Sequence, residues 1–261
     1  MMKQRIGIIG GAGWRGSAIT QSLVSSGAVD PARLVSSYRS TRPATPTGWR
    51  WTQDNAELAA ASDIVIVSVQ PADWPALAFD ATGKLLISVM AGVKTADLRR
   101  RTGATRLARV LPNAAAEFGA SYTPIFMQSD APEDGDTVRA LFEACGVVDI
   151  VAEEDHIDYF TGMSGSGPAF PALLAEAMMS DAVGRGIPPE IARRAAMQTL
   201  IGAARIFAAG ETDPRDTVRA FVDYRGTTAA AILRMRELGF DAAVAAGLEA
   251  AYRKAQALSA S

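Results

Sequence analysis

The chain has 261 residues, 49% of them hydrophobic, enough for one large domain or two ordinary ones with substantial cores. Lys and Arg number 26 against 28 Asp and Glu, a net charge near −2 with no basic run, so no electrostatic footprint for nucleic acid is visible. A single cysteine, Cys145, excludes an intrachain disulfide and offers no metal-ligand cluster, so no metal is expected.

Short β-branched runs at residues 5–9, 34–37, 64–69, 85–89, 107–111, about 122–127 and 147–151 read as buried strands. Helical patterns at 17–25, 55–61 and 96–101 separate them. That alternation predicts an α/β fold with a mostly parallel, doubly wound sheet over residues 1–152. From 153 to 261 Ala, Leu and Met rise, β-branched runs vanish, and helix punctuation takes over. Gly165-Ser-Gly-Pro168 breaks one helix and starts another, Gly186-Ile-Pro-Pro189 separates two long ones, and Asp213-Pro214 and Asp241 mark further starts. The helices at 170–184 and 192–207 carry apolar or small residues on more than one face, which predicts a dimer built through this half. No apolar stretch approaches the roughly 20 residues that span a bilayer. The opening MMKQRIGIIGG also lacks the apolar core of a secretory signal, so a cytoplasmic chain with no membrane partner is expected.

Gly11-Ala12-Gly13-Trp14-Arg15-Gly16 follows the first strand and opens the first helix. In that context GxGxxG provides a tight turn, backbone close to a pyrophosphate, and helix amides facing its oxygens. Gly10 precedes it, so either Gly10 or Gly11 takes the first role. An NAD site places an acid near the end of the second strand for the ribose 2′-hydroxyl. Here LVSSYRSTRP has none, whereas Arg39, Ser40 and Arg42 offer two cations and a hydroxyl for a 2′-phosphate, which favours NADPH. Arg15 is placed for a phosphate contact or for packing. Trp49, Trp51 and Trp74 read as packing anchors and Cys145 as a buried filler.

The single histidine, His156, lies in the charged stretch EEDHIDYF and reads as exposed. Scarce acid/base machinery points toward a C=N substrate, because a protonated imine needs mainly orientation beside a nicotinamide and one proton donor.

Taken in order, the motifs resemble the pyrroline-5-carboxylate reductase family over nearly the whole chain. After the glycine loop, YRS (38–40) is similar to the family's Asn-Arg-Ser, and Asn55 precedes a helix as its nicotinamide-side Asn does. SVQP (68–71) resembles Val-Lys-Pro, and ISVMAGV (87–93) resembles the Ala-Ala-Gly-Val cofactor stretch. RVLPN (109–113), the acidic Glu154 and TGMSGSGPAF (161–170) follow, and Arg225-Gly-Thr-Thr228 resembles the family's Gly-Gly-Thr-Thr loop. The resemblance implies a Rossmann domain, a helical dimerisation domain, and reduction of a cyclic imine carboxylate, 1-pyrroline-5-carboxylate to proline. It implies cofactor contacts at Gly11, Ala12, Gly13, Trp14, Gly16, Arg39, Ser40, Asn55, Ser68, Gln70, Pro71, Ala91 and Glu154. It implies substrate contacts at Gly226, Thr227 and Thr228, with the Thr228 hydroxyl near the ring nitrogen as the catalytic group; Asp223 and Arg225 join the candidate substrate contacts on their own chemistry.

The chain departs from the family at several of these motifs. Asp223-Tyr224-Arg225-Gly226 stands where Ser-Pro-Gly-Gly is usual, Asn113-Ala-Ala-Ala116 where Thr-Pro follows the Asn, Gln70 for Lys, and Tyr38 for Asn. Gly226 frees amides at a helix start for a carboxylate, and Thr227 and Thr228 can cap that helix or reach a substrate. Arg225 either pairs with a carboxylate or folds back onto Asp223, and Asp223 can instead orient a cationic group. Two other readings therefore stand beside the first: a related imine reductase whose substrate is set by Asp223 and Arg225, and a non-catalytic NADPH-binding dimeric regulator.

Overall fold

The computed structural model describes residues 2–44, 48–210 and 213–259. By contact the chain divides into two compact units, one of Met1–Ser166 with Ala250–Ser261, the other of Gly167–Glu249.

In the first unit the expected strands form as β1 (Ile6–Ile9), β2 (Leu34–Ser37), β4 (Ile64–Val67), β5 (Leu85–Ser88), β6 (Arg106–Val110), β7 (Ser121–Gln128) and β8 (Gly146–Ile150). An additional edge strand, β3 (Arg50–Thr52), carries Trp51 and pairs in parallel with β2. The sheet order is β3-β2-β1-β4-β5-β6-β7-β8, parallel except that β7 runs antiparallel to β6. Alternation along the central strands feeds two cores. Ile6, Ile8, Ile64, Ile66 and Ile87 face one side, with Ile19 and Leu23 of α1 (Trp14–Ser25) and Val138 and Leu141 of α4 (Glu133–Phe142). Ile9, Val65, Val67 and Leu86 face the other, with Leu58 of α2 (Asn55–Ala60) and Leu98 of α3 (Thr95–Thr102). Strands buried on both faces in this way read as continuous apolar runs. Helix α4 escapes the sequence reading because Gly135 and three acids break its pattern, and only Val138, Leu141 and Phe142 mark its buried stripe.

Helix α1 lies hard against β1. A Cβ on Gly16 would sit 2.5 Å from Gly10 O and 2.8 Å from Gly11 Cα, both backbone atoms that cannot swing aside. Gly10 has φ +80°, the left-handed region that favours glycine, so the tight turn falls there rather than at Gly11. Of the packing anchors, Trp74 is 4% exposed in the second core; Cys145 is buried in the first, and burial pushes its thiol up to about 11.

Helix α5 (Glu154–Phe160) belongs to the first unit, so the division by contact falls after it and not at residue 152. Ionic contacts explain this. Arg109 of β6, 1% exposed, donates to Asp158 Oδ1 at 2.8 Å and to Glu154 Oε1 at 3.2 Å. Lys94 Nζ reaches Asp158 Oδ2 at 2.7 Å, and Asp155 accepts from Tyr252, which holds its carboxyl below the usual range. A wide turn, Thr161–Gly165, follows α5.

The second unit is helical: α6 (Ala169–Gly184), α7 (Pro189–Ala209), α8 (Pro214–Asp223), α9 (Thr227–Glu237) and the first half of α10 (Phe240–Ser259). The expected breaks at 165–168 and 186–189 and the start at Asp213, which caps α8 by accepting from Arg215 N, all occur. Among its described residues the buried apolar side chains are Ala175, Ala192, Ala196 and Ala229.

Replacing Arg109 with Met leaves Asp158 buried beside Lys94 alone and should cost about 3–5 kcal/mol, read as a lower urea midpoint. Gly16→Ala should cost about 1–3 kcal/mol by overpacking α1 on β1, read in the same way.

Candidate active site

The strand order reverses direction between β1 and β4, and in open α/β sheets ligands bind beyond the carboxyl ends of strands at such a point. A cavity of about 550 Å3 lies there. Gly10, Ala12 and Gly13 line it from the end of β1, Ser37 to Thr41 from β2, Gln53 and Asn55 from the start of α2, and Ser68 to Gln70 with Asp73 from β4. The walls are tied together by backbone: Ser68 N donates to Ile9 O at 2.8 Å, Ala12 N to Ser37 O at 3.3 Å, and Gly10 N to Ser37 Oγ at 3.0 Å.

The cavity thus gathers Ala12, Gly13, Arg39, Ser40, Asn55, Ser68 and Gln70 from the expected cofactor set. Gly11 and Gly16 are buried, and both pack their Cα closely, on Ser36 and on Gly10 respectively. Trp14 opens α1 and is 62% exposed. The first amides of a helix have no intrahelical partner, and α1 directs them at the loop. Arg15 turns away: NH1 donates to Val89 O at 3.1 Å, and burial pulls its guanidinium below its ordinary pKa. Pro71 lines a separate cavity with Gly92 and Lys94, and Ala91 lies three residues beyond β5, on neither lining.

Glu154 stands apart from the rest of the expected cofactor set. It is not on the cavity wall; Oε1 accepts from Thr95 N at 2.7 Å and from Arg109, and Oε2 accepts from Thr95 Oγ1 at 3.1 Å. With three donors this carboxylate seats α3 against α5.

Two polar atoms beside the cavity are buried with no partner among the described residues, Asn55 Oδ1 and Ser68 Oγ. An orphaned acceptor and an orphaned hydroxyl on the wall of a cleft fit a ligand with hydrogen-bonding groups of its own. Arg39 is exposed and its NH1 donates to Asp73 Oδ1 at 3.0 Å, while its carbonyl accepts from Gln53 Nε2 at 2.9 Å. Arg42 is exposed and lies off the lining. Gln53 and Asp73 are among the lining residues that sequence reasoning missed. No local pattern marks either; only the pairing of β3 with β2 and the meeting of the β2 and β4 ends bring them in.

In the second unit, α9 starts at Thr227 with Gly226 as its cap, so Thr227 and Thr228 occupy the first turn and make no capping bond. Neither hydroxyl has a hydrogen-bond partner among the described residues, and the first-turn amides are free of side-chain caps. Arg225 has φ +56°, the one non-glycine in the left-handed region among the described residues, and it forms no ion pair with Asp223. Tyr224, 85% exposed, lays its ring 3.1 Å from where a Gly226 Cβ would be. His156 is exposed, as expected.

The family model for pyrroline-5-carboxylate reductase dimerisation matches residues 154–258, and that for NADP oxidoreductase, coenzyme F420-dependent, matches residues 5–92. The pyrroline-5-carboxylate reductase of Synechocystis sp. is 31% identical over 98% of this chain and 99% of its own. The structure of a pyrroline-5-carboxylate reductase from Coxiella burnetii superposes with a TM-score of 0.87 at 28% identity over 99% of both chains. That of Plasmodium falciparum pyrroline carboxylate reductase with NADP bound has a TM-score of 0.83 over 99% of both chains; at 23% identity it speaks to fold alone. With a relative above 30% identity aligned from end to end, the chain belongs to the pyrroline-5-carboxylate reductase family.

Proposed function

We propose that the protein reduces 1-pyrroline-5-carboxylate to L-proline with NADPH. The observation that carries this is the cleft at the β1–β4 reversal, with its orphaned Asn55 Oδ1 and Ser68 Oγ, in a chain alignable over its length with reductases of that name. Bound NADPH supplies hydride to the imine carbon. Gly11, Gly13 and Gly16 seat its pyrophosphate, Arg39 and Ser40 its 2′-phosphate, and Asn55 and Ser68 its nicotinamide side.

The chain's own work is then orientation and one proton. The uncapped first turn of α9, behind Gly226, suits a substrate carboxylate, and the unpartnered Thr228 hydroxyl is the group assigned to the ring nitrogen. A homodimer formed through the helical part, residues 153–261 in the functional division, follows from its uncovered apolar side chains. Leu173, Ile206 and Leu238 are each at least 65% exposed, more than a stable monomer leaves bare in one region. No helix among the described residues is long and apolar enough to cross a membrane, and a cytoplasmic location is the reading that accompanies this enzyme.

A second reading, an imine substrate selected by Asp223 and Arg225, has one observation in its favour. Arg225 keeps a left-handed backbone where the family's loop has glycine, a conformation that costs an L-residue about 1–2 kcal/mol. Strain of that kind persists where something other than stability retains the side chain.

Absorbance at 340 nm should fall when the protein meets NADPH and 1-pyrroline-5-carboxylate, and Thr228→Ala should cut kcat about 10²-fold. NADPH binding by calorimetry, with no turnover of this imine or its six-membered homologue, would instead leave a non-catalytic regulator. Arg225→Gly should raise the thermal midpoint through about 1 kcal/mol of relieved strain. Exchanging residues 223–225 for Ser-Pro-Gly should leave the preferred imine unchanged, whereas a shift in preference would favour the second reading.

A further inference from the structure

Among the described residues, the charged side chains on the cofactor cavity are two, Arg39 and Asp73, and they are paired with each other. Arg39 comes from the turn after β2, and Asp73 from the short 3-10 turn Pro71–Ala76 after β4, across the cleft. The end of β2 has no acid of its own between Ser37 and Thr41. A carboxylate nevertheless stands at this cleft, supplied by a different strand, and it engages the cation assigned to the 2′-phosphate.

We propose that Asp73 is a specificity-determining residue for the cofactor ribose, which narrows the preference for NADPH over NADH. The proposal rests on the reading of Arg39 as the 2′-phosphate ligand. Asp73 holds the Arg39 guanidinium at the cavity wall. When NADPH binds, the phosphate must take Arg39 from that carboxylate and then lie close to a charge of its own sign. NADH brings no such charge, and its 2′-hydroxyl can donate to Asp73 Oδ1, the role that an acid on the second strand plays in NAD sites. One carboxylate thus opposes the phosphorylated cofactor and favours the other.

The size of the effect follows from exposure. Arg39 is 84% exposed and Asp73 46%, so their ion pair is weak and yields to a dianionic phosphate instead of shutting it out. The repulsion that remains is likewise solvated and screened by salt. Asp73 therefore tunes the preference for NADPH without reversing it.

Asp73→Asn keeps the shape and removes the charge, and the probes are 2′,5′-ADP and 5′-AMP, titrated calorimetrically into the full-length protein. The variant should bind 2′,5′-ADP about three- to tenfold more tightly than wild type and 5′-AMP no more tightly, with the gain shrinking at about 0.5 M salt. The ratio of KM for NADH to KM for NADPH should rise by a similar factor, and Asp73→Glu should restore the wild-type ratio. A merely structural role would weaken both probes together. Unchanged discrimination in Asp73→Asn, while Arg39→Ala weakens 2′,5′-ADP selectively, overturns the inference and leaves the NADPH reading standing. Undiminished binding of 2′,5′-ADP in Arg39→Ala overturns the assignment of Arg39 to the 2′-phosphate, and the inference with it.

Discussion

The cleft depends on how closely α1 approaches β1. Gly16 rests on the carbonyl of Gly10 with no room for a methyl group, and Gly10 bends the chain through a conformation open mainly to glycine. That contact brings the first turn of α1 to the end of the strand, so its free amides face the space between the β1 and β4 ends. Gly13 has more room: a Cβ there would meet a single backbone atom within 4 Å, and the loop is open where a pyrophosphate would pass. Ser37 closes the same loop from β2 through its hydroxyl and its carbonyl. Movement of α1 outward by the width of a methyl group would separate these partners together.

A second constraint is electrostatic and lies off the cleft. Arg109, a cation on a central strand with almost no solvent, is tolerable only because Asp158 and Glu154 face it, and each of these carboxylates has a further donor, Lys94 or Thr95. Such a cluster yields little net stability relative to apolar packing, but it penalises any arrangement that separates its members. It therefore fixes α5 on the sheet. The second unit has nothing comparable among its described residues. Its helices are apolar on several sides and bury only alanines, so its side chains remain available for a second copy of the chain.

The two ends of the proposed reaction are treated differently by the chain. At the cofactor cleft, charge is balanced internally by the pair of Arg39 and Asp73. At the α9 start, Arg225 is strained and, among the described residues, it makes no ion pair and the Thr227 and Thr228 hydroxyls are unspent. Arg225 holds there the left-handed backbone that glycine adopts more readily.

The sequence by itself determined what repeats locally. β-branched runs such as Ile64 to Val67 announce the strands, since a strand buried on both faces must be apolar throughout, and Gly11-Ala-Gly13 before an apolar helix announces a phosphate loop. Gly186 to Pro189 and Asp213-Pro214 stop and start helices through local chemistry, the backbone of Gly and Pro and the Asp213 side-chain cap. Tertiary structure decided everything that requires two distant segments to meet. Strand β3 exists because β2 offers it an edge; Glu154 serves Thr95 and Arg109 because α5 folds back on the sheet; Asp73 reaches Arg39 because the ends of β2 and β4 converge on one cleft. A carboxylate has no periodicity and carries no sign of its partner, so its role stays illegible until the fold brings a cation within 3.0 Å of it.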